Sequence, residues 1–267
     1  MYRLVRLIFL YMTLISDSAA ASEQPYNPAY IAIIIDDMGN HWGRGQRAIQ
    51  LPALLTYSIL PYTQYGHQLA ELAYQDGKEV ILHMPMANLG RKPMGPGGLT
   101  QNLTKAEFYQ TLALAIEQIP HLKGINNHMG SQLTQQPQQM NWLMSQIKQQ
   151  QLYFIDSRTT ANTVASTVAK EQQIQSSSRD VFLDNDPTFI SIDRAFQVLL
   201  AKARRDGTGI AIGHPHQATL DYLARVIPGL AAQSIEVISV SALIQRRRAH
   251  ALQAAVNVHS HGASPIE

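Results

Sequence analysis

The chain reads as an α/β barrel, complete or incomplete, and three observations carry that reading. Short runs of branched aliphatic residues alternate with helix-length amphipathic stretches, the pattern of parallel strands in repeated β-α units. Acids and histidines fall one after another at the C-terminal ends of those runs: IAIII ends in Asp36-Asp37, VIL in His83, GINN in His128, YFI in Asp156, VFL in Asp184 and GIAIG in His214. Side chains at such strand ends converge on one open face, where catalysis is built. Finally, no dinucleotide-type glycine fingerprint follows the first run, because Gly39, Gly43 and Gly45 are spaced wrongly for it. A barrel is therefore favoured over an open doubly wound sheet.

In chain order, the first residues read as a targeting segment. Arg3 and Arg6 precede an apolar stretch from Leu7 to Ile15, and Ala19-Ala20-Ala21 forms a small-residue cleavage pattern. That stretch is shorter than the ~20 residues a spanning helix needs. The expectation is a signal peptide over 1–21, a linker over 22–28, and export to the periplasm or the medium, with no membrane span in the mature chain. Strands are then predicted at Ile31–Ile35, Tyr57–Leu60, Glu79–Met84, Gly124–Asn127, Leu152–Asp156, Asp180–Leu183, Gly209–Gly213 and Glu236–Val240. Helices are predicted near 43–50, 66–75, 105–118, 137–150, 191–205, 217–227 and 241–255. Thr104 to Glu107 and Thr188 to Ser191 supply helix starts. Ala161 to Gln173 lacks a clear helical period and receives no element. A long Gly/Pro-rich loop, Asn88 to Asn102, follows the His83 strand and reads either as a lid or as a surface excursion. One barrel domain over 29–256 and a disordered tail over 257–267 complete the organisation.

Composition narrows the function classes. Of 267 residues, 45% are hydrophobic and 15% charged, which describes an ordinary globular protein with a large core. A formal net charge of +2 leaves no electrostatic footprint for nucleic acid, and Arg246-Arg247-Arg248 reads as a solvated helix end. The absence of cysteine excludes disulfides, thiolate metal sites and a lipoprotein anchor. Any metal must be held by His, Asp, Glu or backbone oxygen.

The strand ends then imply a chemistry. Adjacent carboxylates at Asp36 and Asp37 repel one another, and a divalent cation binding one of them relieves the cost and leaves the other as a general base. The bland alternative is a helix N-cap pair. His83, among apolar neighbours, taken alone reads as a core histidine. His128 is flanked by small and polar residues, as an open site requires. One Asp with two neutral imidazoles is a common set for zinc, leaving positions for water and substrate. His214, from the GIAIG run, suits a general acid, with His216 supporting it or facing solvent. Asp156 and Asp184 supply further strand-end carboxylates, one of which could orient a histidine through its second ring nitrogen. Arg158 could pair with an acid or bind a substrate oxygen, and Asn127 could support the site or touch substrate. No G-x-S-x-G elbow, P-loop or H-E-x-x-H occurs.

The ordered motifs IAIIIDDMGN, YSILPY, VILHMPM, MGPGG, GINNHMGS, YFIDSRTT, VFLDN and GIAIGHPH resemble the divergent polysaccharide deacetylase family over roughly Ala29 to Leu243. That family is a distant relative of the NodB-type deacetylases of carbohydrate esterase family 4. The resemblance implies a distorted (β/α)7-type barrel and a metal-dependent loss of acetyl groups from sugars. It further implies Asp36 as the base, Asp37 as a metal ligand and His214 as the acid. The relatives' H-x-x-x-H motif is missing, because Met84-Pro85-Met86-Ala87 follows His83, and His128 stands as the substitute third ligand. Their arginine-proline-tyrosine motif has no counterpart.

The expected function is thus an exported metal-dependent hydrolase, with one divalent ion, zinc, acting on an acetylated amino sugar or envelope glycan. Two alternatives stay open: a non-catalytic barrel that binds glycan or protein, and a different metal-dependent amidase or phosphoesterase.

Overall fold

The computed structural model describes residues 28–261, so the predicted signal peptide and most of the predicted linker lie outside the described residues. The chain alternates strands and helices: β1 (Ala29–Met38), α1 (Trp42–Ile49), β2 (Thr56–Ile59), α2 (Gly66–Gln75), β3 (Glu79–Met86), α3 (Lys105–Glu117), β4 (Leu122–Met129), α4 (Pro137–Gln149), β5 (Tyr153–Asp156), α5 (Ala165–Glu171), β6 (Ser176–Ser178), β7 (Val181–Phe182), α6 (Phe189–Asp206), β8 (Thr208–Gly213), α7 (Gln217–Val226), β9 (Ile235–Val237) and α8 (Val240–His261). All pairings are parallel, in the order β6-β5-β4-β3-β2-β1-β8-β7, with β9 on the first residues of β1. The sheet curls, and Arg179 and Asp180 connect its end strands β6 and β7 along the chain. Arg179 N–H donates to Asp156 O on one side of the seam and Asp180 N–H to Ile210 O on the other, each at 2.9 Å. This is the distorted α/β barrel the sequence predicts.

Local chemistry explains the elements. Period-2 alternation sorts each strand into two faces. Ile31, Ile33 and Ile35 face the helices, whereas Ala32 and Ile34 join Ile81, Tyr153, Ile155, Ile210 and Ile212 in the barrel interior. Helix α3 starts at the predicted capping box, Thr104 with Glu107, and α6 ends at Gly207 with φ 77.

The first turn of α8 closes the barrel floor. Val240, Leu243 and Ile244 pack into the interior cluster. The carboxylate of Glu79 accepts from Ser241 N, Thr56 Oγ1 and Tyr153 Oη at 3.2, 2.9 and 2.8 Å. A negative group is thereby set at the positive end of a helix. Burial, then the charge of Glu79, push the Tyr153 hydroxyl well above the usual phenol range.

Two expectations are corrected here. Residues 165–171 form α5, and Ser176–Ser178 form β6, neither of which local periodicity signals. Helix α8 continues to His261, into the stretch expected to be a disordered tail. Its Ala, Leu, Gln and Arg residues are strong helix formers and nothing interrupts them. The loop over 88–102 is tied down at both ends. Leu99 is buried and bridges Met86 on β3, and the Asn88 side chain holds both the N–H and the carbonyl of Lys92. Among the described residues no helix is long and apolar enough to cross a membrane.

Candidate metal centre and its flanking groups

The interior columns of the strands turn polar at their C-terminal ends. On β1 the inward series Ala32, Ile34 continues to Asp36, on β3 Ile81 is followed by His83, and on β8 Ile212 is followed by His214. Asp37 would face the other way in an unbroken strand. The β1–β2 register shifts between Ile35 and Met38, and Asp37 adopts φ 56. This bulge brings the second carboxylate to the same site as the first, and Asp is one of the few residues that tolerates the left-handed region.

Asp37 Oδ1, His83 Nε2 and His128 Nδ1 form a triangle. Its edges are 3.2 Å from Asp37 to His83, 2.9 Å from Asp37 to His128 and 3.2 Å between the two imidazoles. Ligand atoms about 2.0–2.2 Å from a shared ion stand roughly 3.0–3.5 Å apart across the edges of its coordination shell. The buried Asp37 Oδ1 lacks a well-directed hydrogen bond even though two ring nitrogens lie at contact distance. Three ligand atoms this close together, with Asp37 Oδ1 left unmatched, fit a cation. Burial raises the Asp37 carboxyl, but His128 and His83 outweigh it and hold the group well below the usual carboxylate range.

A buried amide organises this centre. Asn126 Oδ1 accepts from Ser58 Oγ at 2.6 Å and faces His83 Nδ1 at 2.7 Å, while its Nδ2 donates to Asp36 Oδ1 at 2.8 Å. An acceptor at Nδ1 keeps that nitrogen protonated, so the Nε2 lone pair of neutral His83 points at the triangle. Burial lowers the His83 pKa, but the charges of Asp36 and Asp37 and the hydrogen bonds that His83 donates to Asp37 and Asn126 raise it overall. Asp36 Oδ2 lies 3.6 Å from His83 Nε2, leaving one carboxylate oxygen open to the centre.

On the far side, Asp184 Oδ1 meets His214 Nδ1 at 2.9 Å. Asp184 Oδ2 accepts from His214 N at 2.6 Å and from Thr219 Oγ1 at 2.8 Å. His214 Nε2 consequently faces Asp37 Oδ2, 3.8 Å away. Burial lowers the imidazole, but the Asp184 hydrogen bond and the charges of Asp36, Asp184 and Asp37 outweigh it and push His214 up to about 9. Burial raises the Asp184 carboxyl, and its contacts with His214 and Thr219 bring it below its ordinary value. Asp184, His214 and His216 also lie close together. With both Asp184 oxygens engaged, that group is a hydrogen-bonded pair rather than an ion cradle.

The remaining predicted residues stand apart from the triangle. Asn127 donates to Met129 O and accepts from Ser157 N, so its amide ties β4 to the loop after β5 instead of meeting substrate. Asp156 shares the face of Phe154, opposite Ile155, and accepts from Arg158 N and Thr163 Oγ1. It shapes its own loop and orients no histidine. Arg158 is exposed, with φ 49, and its carbonyl accepts from Arg179. His216 is exposed at the start of α7. Two functional residues are additions: Asn126 and Ser58. Their signal in the sequence is polar residues on the inward period of apolar strands, Thr56-x-Ser58 and Asn126-x-His128.

A curled parallel α/β barrel with a His/Asp constellation at the C-terminal ends of its strands defines the class. The chain belongs to the divergent polysaccharide deacetylase family, whose model matches residues 33–244. It is 32% identical over 224 residues to the uncharacterised protein YibQ of Escherichia coli K12, covering 84% of this chain and 70% of that protein. An uncharacterised protein of Haemophilus influenzae is 34% identical over 193 residues, 72% of this chain and 69% of its own length. The crystal structure of an uncharacterised protein from Agrobacterium tumefaciens C58 shares the fold with a TM-score of 0.78 at 24% identity, covering 81% of this chain and 89% of that one.

Proposed function

We propose that this protein is an exported, zinc-dependent deacetylase that removes acetyl from an amino sugar of an envelope glycan. The observation that carries the proposal is the triangle of Asp37 Oδ1, His83 Nε2 and His128 Nδ1, flanked by Asp36 and His214. Two imidazoles and a carboxylate suit zinc and leave coordination positions open. The ion supplies Lewis-acid polarisation of the acetyl carbonyl and of water. Asp36 acts as base: Asn126 fixes one carboxylate oxygen, and the other takes a proton from the attacking water. Hydroxide oxygen adds to the acetyl carbon, the C–N bond breaks, and His214 Nε2–H protonates the departing nitrogen. Acetate and a free amine result. Asp184 holds His214 in the orientation and protonation state this needs. Membership of a polysaccharide deacetylase family supports the glycan substrate, and the basic-then-apolar N-terminal segment supports action outside the cytoplasm.

The test is acetate release from N-acetylated envelope glycans by zinc-loaded protein, with metal content measured in parallel. Asp36→Asn should retain zinc and lose roughly 10²–10⁴-fold in turnover, as the loss of a general base does. Asp37→Asn should lose the zinc itself. Stoichiometric zinc without acetate release from any such glycan would move the assignment to a glycan-binding barrel or to another metal hydrolase.

A further inference from the structure

A cleft of about 190 Å³ opens beside the metal centre, with Asp37 and His214 among its walls and the exposed His41, Arg44 and His216 also lining it. Resting on the deacetylase reading above, we infer that this cleft receives an anionic substituent of the substrate, a carboxylate or a phosphate next to the acetylated amine.

The donor inventory of the cleft points that way. Among the described residues, no side chain or carbonyl accepts from the Arg44 guanidinium, whereas Arg47, one turn further along α1, is paired with Asp221. A guanidinium presents its N–H groups as a rigid fork that matches the two oxygens of a carboxylate or phosphate. His41 Nδ1 accepts from Arg44 N at 3.4 Å. The neutral ring therefore carries its proton on Nε2, and it is a second donor. His216 adds a third ring, with none of its nitrogens hydrogen-bonded among the described residues. Against these donors the cleft sets a single carboxylate, Asp37, which already faces His83 and His128. Because the cleft shares Asp37 and His214 with the reaction centre, a sugar with its leaving nitrogen at His214 lies at the mouth of a cleft that Arg44 also lines. An uncharged sugar would leave that cation without a counterpart.

The experiment is a calorimetric or NMR titration of the zinc-loaded protein with three sugars: N-acetylglucosamine, N-acetylmuramic acid and N-acetylglucosamine 1-phosphate. The charged sugars should bind roughly tenfold or more tightly than the neutral one, the fold-change a charge-assisted hydrogen bond supplies. The tighter of the two identifies carboxylate or phosphate as the preferred group. Arg44→Gln, an exposed change expected to keep zinc content and fold, should abolish that advantage and leave N-acetylglucosamine binding unchanged. Equal affinity for all three sugars, undetectable binding included, would overturn the inference. So would a charged-sugar advantage that survives Arg44→Gln, since Arg44 would then not be the group that receives the anion. These are binding readouts. A protein with the Arg44-dependent preference but no acetate release sinks only the deacetylase reading, whereas acetate release without that preference sinks only this inference.

Discussion

Asn126 is buried, and all of its side-chain polar atoms are engaged by residues far away in the chain. Burying an amide is costly unless its donors and acceptor are matched. Here the matching also sets the tautomer of His83 and the rotation of Asp36, so one side chain positions a candidate ligand and a candidate base together. Asn126→Ala should accordingly weaken zinc binding by about 10–100-fold, the usual effect of losing the hydrogen-bond partner of a ligating histidine. Asn126→Asp should do worse, because it sets a second carboxylate against Asp36 where a donor stands 2.8 Å away. Competition with a chromophoric chelator measures both. Unchanged zinc affinity in the two variants would mean that packing alone orients His83. The same residue-scale logic separates Asp36 from Asp37. The first follows from strand alternation, while the second reaches the site only through a left-handed backbone at φ 56.

Among the elements, the strands act as columns whose lower layers are apolar and whose upper layer is chemical. Column position explains why His83 serves the site from inside β3 rather than from its end. It also explains the floor. Glu79 lies on the inward period of β3 two residues before Ile81, and it gathers Thr56, Tyr153 and the first turn of α8. Removing that carboxylate leaves two hydroxyls and a helix N–H without their acceptor. Glu79→Ala should therefore destabilise the fold by roughly 1–3 kcal/mol for each group left buried and unpaired. Urea unfolding reads the loss, and the folded fraction should still bind zinc stoichiometrically, because the floor and the metal centre occupy opposite ends of the barrel. A variant as stable as wild type would show that α8 is held by Val240, Leu243 and Ile244 alone.

For the whole molecule, the barrel is closed by side chains as much as by backbone. Arg247 on α8 reaches Ser177 on β6, Asp180 in the seam and Thr208 on β8, at 2.7, 2.6 and 3.0 Å. An ion held by the triangle would add to these contacts. A ligand bound only by the folded state at a hundred times its Kd contributes about 2.7 kcal/mol. At roughly 2–4 °C per kcal/mol for a domain of this size, chelation should lower Tm by about 5–10 °C. Asp37→Asn should melt at the same temperature with or without chelator. A wild-type Tm that ignores chelator would mean that the triangle holds no ion. The amino-acid sequence by itself determines the alternation of strands and helices, the capped start of α3, the ordered series of motifs and the placement of Asp36, His83, His128 and His214 toward one face. These are local properties, encoded in periods of two and of 3.6 residues and in short caps. The tertiary structure alone decides β6 and α5, the bulge that turns Asp37 inward, the outward face of Asp156 and the amide hub. Ser58 meets Asn126 across 68 residues and Asp36 meets it across 90. Such contacts depend on the register between distant strands, which no local period encodes.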